Sequence, residues 1–117
     1  MKSTLYGTFR TVEFNPSNIV YILEEGFKCE THFTNSRTLP LSWRDVKPLF
    51  KHLPRVYSYD LGGGVYINPK EIDYYEQGVF VDITFKNGTQ LKELSRTDFD
   101  HNVTPILNKS TKNDLTL

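Results

Sequence analysis

The segment Val79-Phe80-Val81-Asp82-Ile83-Thr84-Phe85, followed by Lys86-Asn87-Gly88, constrains the fold more than any other part of the chain. Val79, Val81, Ile83 and Phe85 recur every second residue, so one face of a strand is apolar and belongs to a core. Asn-Gly accepts the positive φ values of a tight hairpin and sends the chain back through Thr89 to Leu94. A domain organised around such a hairpin is a sheet protein. Other segments repeat the pattern. Ile19 to Leu23 and Phe27 to Phe33 flank Glu24-Glu25-Gly26 as a second hairpin, and residues 4 to 14 suggest a first strand interrupted near Gly7. Val56 to Leu61 and Val65 to Asn68 surround Gly62-Gly63-Gly64, a loose hairpin tip. Ile72 to Glu76 follows the turn at Pro69.

One segment breaks the period of two. Trp43, Val46, Leu49, Phe50 and Leu53 recur at helical spacing, while Arg44, Lys47, Lys51 and Arg55 fall at i, i+3, i+7 and i+11 on the other side. Ser42 suits an N-cap and Asp45 suits the positive first turn. Pro48 disfavours a helix starting at Trp43 and suits one starting near Asp45, which would drop Arg44 from the stripe. Ser95 or Thr97 can cap a short terminal helix limited by Pro105. No internal repeat stands out. The expected fold is α+β and β-dominated, with a single small twisted sheet or a partly open β-barrel. It carries one principal helix and a short C-terminal helix. Residues 1–107 form one domain, and 108–117 form a polar, frayed tail.

With 117 residues, 14% aromatic and 24% charged, the chain suits one folded domain. Fourteen basic and fourteen acidic residues cancel, but unevenly. Residues 37–55 carry five cations against Asp45, and residues 56–85 carry five carboxylates against Lys70, local balances of +4 and −4. A basic face on a neutral domain can bind phosphates. The lone Cys29 allows no internal disulfide and fits a reducing cytosol. The chain has neither a signal-like apolar run at its start nor an apolar stretch of about 18 residues, so the expected location is cytoplasmic, without a membrane partner.

The candidate site is therefore cationic and aromatic: Arg37, Arg44, Lys47, Lys51 and Arg55 for phosphates, with Tyr57 and Tyr59 for stacking on unpaired bases. A solvated helix face and cross-strand packing are the plain alternatives for the same residues. Tyr66, Tyr74 and Tyr75 stand near the same glycine run. Asp98, Asp100 and His101 lie close together without a second ligand set, which suits helix-start carboxylates better than a metal. No nucleophile–base pattern and no Walker-type loop is legible, so neither an enzyme nor a cofactor is expected. A protein partner, met by Leu115 and Leu117 or by a sheet edge, is the second reading.

Two resemblances accompany this reading. Asn18-Ile19-Val20-Tyr21-Ile22, Val65-Tyr66-Ile67-Asn68-Pro69-Lys70-Glu71-Ile72 and Phe85-Lys86-Asn87-Gly88-Thr89-Gln90-Leu91 resemble the order of features in the LytTR DNA-binding domain. That family places a basic pair shortly before the asparagine. Tyr57 to Gly64 holds no cation here, so its DNA contacts do not carry over. The whole chain also resembles the PrgU family of small regulators of enterococcal conjugative plasmids, with Arg55-Val56-Tyr57-Ser58-Tyr59-Asp60-Leu61-Gly62-Gly63-Gly64 mid-chain. That resemblance implies a PUA-like barrel and a non-enzymatic RNA-binding regulator, acting on expression of plasmid-encoded surface proteins. RNA is therefore favoured over duplex DNA.

Overall fold

The structure, a computed structural model, describes the backbone of residues 3–6, 11–26 and 28–115, and the side chains of 15–26 and 28–109. Phe27, Leu117 and residues 7–10 of the expected first strand lie outside the described residues, as does the side chain of Leu115. In chain order the strands are β1 (Ser3–Tyr6), β2 (Thr11–Phe14), β3 (Ile19–Glu25), β4 (Lys28–Phe33) and β5 (Thr38–Ser42). They continue as β6 (Arg55–Ser58), β7 (Gly63–Ile67), β8 (Ile72–Gln77), β9 (Val81–Phe85) and β10 (Gln90–Leu94). Three α-helices are described: α1 (Trp43–Val46), α2 (Arg96–Asn102) and α3 (Thr104–Leu115).

Among the described residues, eight strands form one open antiparallel sheet in the order β5-β4-β3-β7-β6-β10-β9-β8, and β1 pairs with β2 alone. The β-dominated α+β architecture expected from the periodicity is present. Both strong hairpins form where the turn chemistry puts them. Gly26 (φ 61°) follows β3, and Gly88 (φ 88°) closes the β9–β10 turn by donating its N–H to the Phe85 carbonyl. One part of the strongest strand differs. Val81, Ile83 and Phe85 are buried as the alternation requires, but the strand begins at Val81 and Val79 is 86% exposed. Gly78 donates to the Phe80 carbonyl at 2.8 Å, which turns the backbone before the ladder starts.

β3 is central, and Ile19 to Leu23 are all buried. On β7, Val65 and Ile67 enter a core with Val56, Val81, Phe85 and Leu94, closed by Phe99 and Val103 of the α2 region. Tyr66, between them, packs instead against a second core of Ile22, Cys29, Leu41, Val46 and Leu53. Opposite faces of one strand thus feed separate cores. Asn68 fixes the crossing from β7 to β8. Its Nδ2 donates to the Ile19 carbonyl at 2.8 Å and its Oδ1 accepts from Lys70 N–H. In this structure the asparagine matched to the LytTR pattern holds the backbone.

The principal helix takes a different form from one continuous amphipathic rod. Ser42 caps α1, accepting from Arg44 N–H at 3.3 Å, but α1 lasts a single turn. Lys47–His52 is a 3-10 helix with Pro48 in its first turn, where the missing N–H has no partner to lose. Since 3-10 winding repeats every three residues, the i, i+3, i+7, i+11 cation stripe of an α-helix is not maintained across it. At the other end Ser95 caps α2 through Asp98 N–H, and Pro105 lies in the first turn of α3. That helix carries the chain past residue 107.

His32 gives the fold a pH dependence. Its ring stacks on Tyr21 with centroids 4.1 Å apart, and burial lowers its pKa more than Glu30, 3.5 Å away, raises it. The unfolded chain, with an ordinary His pKa near 6.5, then binds a proton more readily than the folded one. This contribution is fully present above about pH 6.5 and is lost as pH falls from there through the lower folded value. Urea midpoints at about pH 7.5 and 5.5 should show a loss for the native chain that His32→Gln diminishes. Tyr21 itself is pushed up to about 12, first by burial and then by Glu30.

Candidate nucleic-acid interface

Strand β6 sets the site. Val56 and Ser58 turn inward and are buried, so Arg55 and Tyr57 share the outer face. Arg55 pairs across the ladder with Tyr66 and Tyr57 with Gly64. The Arg55 guanidinium lies over Gly64. A Cβ on Gly64 would strike the guanidinium. Arg55 reaches Glu24 of β3 at 3.7 Å, and the Tyr66 hydroxyl donates to the same carboxylate at 3.2 Å. Burial, and then Glu24, raise the Tyr66 pKa, so the hydroxyl keeps its proton as a donor.

Aromatic rings extend this group both ways. Phe50 stacks on Tyr66 at 3.8 Å with planes 3° apart, Trp43 meets Phe50 edge-on at 6.3 Å, and Lys47 Nζ sits 4.8 Å above the Trp43 ring. In the other direction Tyr57 meets Tyr59 at 4.9 Å, and Tyr59 meets Phe80 at 5.3 Å. The result is a strip of two ring groups, Trp43–Phe50–Tyr66 with Lys47 at its end and Tyr57–Tyr59–Phe80, with Arg55 of β6 between them. Tyr59 is 56% exposed, while Tyr57, Phe50 and Tyr66 are half-buried. Rings held in stacked, tilted and edge-on contact present a rigid, partly wet surface.

Helix α2 supports the far end. Asp98 accepts from Tyr57 N–H at 3.0 Å, Ser95 N–H donates to the Tyr57 carbonyl, and Asn102 Nδ2 donates to the Arg55 carbonyl at 2.7 Å. The acidic cluster read near His101 is accordingly occupied with structural bonds. Asp100 pairs with Arg96 at 3.7 Å, and His101 Nδ1 lies 2.9 Å from the Thr97 carbonyl. Among the described residues no group of three or more His, Cys, Asp or Glu side chains is placed to hold a metal. Cys29 is buried, and burial followed by Glu24 pushes its thiol up to about 11, which keeps it protonated at neutral pH.

The sequence candidates separate on this surface. Lys47, Arg55, Tyr57 and Tyr59 belong to the strip. Arg44 and Lys51 are exposed on the helical segment beside it, without an ion pair among the described residues. Arg37 lies in the β4–β5 turn, on a different element, where its carbonyl accepts from Phe33 N–H. Arg55 is engaged by Glu24, so the row of four free cations reduces to three. Trp43 and Phe50 were placed on the buried side of a helix by their spacing, and their part in the strip was missed. The available signal was the run of aromatics alternating with cations from Trp43 to Tyr59. No helix of the described residues is long and apolar enough to cross a membrane. Comparison with protein-family models and with curated proteins finds no match.

Proposed function

We propose that this protein is a non-enzymatic nucleic-acid-binding regulator, acting in the cytoplasm and taking unpaired RNA in preference to duplex DNA. The observation that carries this reading is the pair of ring groups, Trp43–Phe50–Tyr66 and Tyr57–Tyr59–Phe80, that flank Arg55, with Lys47 over Trp43 and with Tyr59 and Phe80 exposed at the far end. Aromatic faces stack on bases only when those bases are unpaired, and cations beside them meet the connecting phosphates. Duplex reading would call for an exposed helix or ribbon carrying base-edge donors, and Tyr57 to Gly64 contains none of the required cations. On the PrgU-like resemblance, the bound messages would be those for plasmid-encoded surface proteins.

The test is a titration of a short fluorescent single-stranded RNA at several salt concentrations. Removing one true phosphate contact reduces the salt slope by about 0.7 for a single strand. The double substitution Lys47→Glu and Lys51→Glu should therefore weaken binding and lower the slope by roughly 1.4, twice that value. Unchanged affinity would count against these contacts. The exposed Val79 beside Phe80 favours a second reading, a protein-docking face. Retention of a protein partner by nuclease-treated native protein, with no RNA affinity in the titration, would replace the first reading by the second.

A further inference from the structure

The chain contains two copies of one structural unit, and the second copy shows where the β1–β2 hairpin belongs. Asn15-Pro16, Ile19, Tyr21, Ser42 and Asp45 recur as Asn68-Pro69, Ile72, Tyr74, Ser95 and Asp98, each at an interval of 53 residues. The local structures match as closely as the letters. Asn15 and Asn68 each accept from the N–H two residues on and start a three-residue 3-10 turn. A three-stranded meander follows each turn, β3-β4-β5 in one case and β8-β9-β10 in the other. Its second turn holds a positive φ, at Ser36 (69°) and Gly88 (88°). Ser42 and Ser95 then cap helices that bury Val46 and Phe99 completely. A hairpin precedes each unit, with Leu5 opposite Val12 in β1–β2 and Val56 opposite Val65 in β6–β7.

In the second unit, β6 pairs with that unit's last strand, β10, and β7 pairs with the other unit's first strand, β3. The same rule applied to the first unit assigns β1 to β5 and β2 to β8. Among the described residues those two strands are the edges of the open sheet. We infer that the β1–β2 hairpin docks between these edges, β1 on β5 and β2 on β8, and closes the eight strands and the hairpin into a ten-stranded antiparallel barrel. Two further observations agree. α1 lies against β1 as α2 lies against β6. Tyr74 and Tyr75 on β8 are 53% and 38% exposed, whereas their counterparts Tyr21 and Ile22 on the doubly paired β3 are 6% and 0% exposed. A six-residue uncovered edge invites pairing with other chains, and closure removes it.

The repeat also fixes the register. Ile67 opposite Tyr21 and Tyr66 opposite Ile22 transfer to Phe14 opposite Tyr74 and Glu13 opposite Tyr75. The bond from Ser95 N–H to the Tyr57 carbonyl transfers to Ser42 N–H and the Tyr6 carbonyl. In a Cys29→Ala background, Glu13→Cys with Tyr75→Cys places two thiols on directly opposed positions, within disulfide reach only if β2 lies on β8. Mild oxidation followed by intact-mass analysis should give a bridged single chain. An unbridged chain, or a bridge between two chains, would overturn the inference. The unsubstituted protein supplies an independent measurement through amide hydrogen exchange. Residues 72–77 should exchange about as slowly as residues 19–25, and fast exchange along 72–77 would likewise overturn closure. Neither result depends on the ligand proposed above.

Discussion

Phe99→Ala should cost about 3–5 kcal/mol, enough to remove a large part of the 5–15 kcal/mol that holds a domain of this size together. Phe99 is fully buried in the first core and is the residue by which α2 enters it, with the Tyr75 ring 5.0 Å away. Truncation leaves a cavity under a helix of only seven residues, too short to persist without tertiary packing. The effect reaches the site, because Asp98 and Asn102 of the same helix hold the backbone of Tyr57 and Arg55. Urea denaturation followed by circular dichroism measures the loss. A decrease below about 1 kcal/mol would mean that α2 is not docked as described.

Tyr59→Ala should have the opposite profile. The side chain is more than half exposed and, among the described residues, its ring contacts are with Tyr57 and Phe80, so stability should change by about 0.5 kcal/mol or less. Base stacking is worth roughly 1–3 kcal/mol, so affinity for single-stranded RNA should fall by roughly five- to 150-fold. Tyr59→Phe keeps the aromatic face and should keep most of the affinity. Equal losses in both variants would point to the hydroxyl and away from stacking. Loss of stability in step with affinity would point to packing. Measuring both quantities on the same preparations separates these outcomes.

The sheet was legible in the sequence because its signals are local. Alternation from Val81 to Phe85 and the Asn87-Gly88 turn specify strand and hairpin without reference to the rest of the chain. The Ser42 and Ser95 caps were legible for the same reason. Periodicity failed where a single residue overrules it. Pro48 converts a stretch of helical spacing into one α-turn and a 3-10 segment, so Trp43 and Phe50 reach the surface strip. Val79 satisfies the alternation but falls in the turn before the strand. The site depended on contacts that the spacing could not reveal. Glu24 reaches Arg55 and Tyr66 only because β3, β7 and β6 are neighbours, a fact of topology. The interval of 53 residues is faint in the sequence because few repeated positions are identical, and those few are scattered over turns, helix caps and strand positions.

On the proposed reading, the rings from Trp43 to Phe80 are a surface on which unpaired bases lie. Ultraviolet crosslinking of the native protein to a uridine-rich single-stranded RNA, followed by mass spectrometry of the peptide adducts, examines that claim directly. Adducts are expected on Tyr59 or Phe80, with others toward Tyr57 or Trp43. Adducts confined to peptides outside the strip, or none under conditions where a known single-strand-binding protein crosslinks, would contradict it.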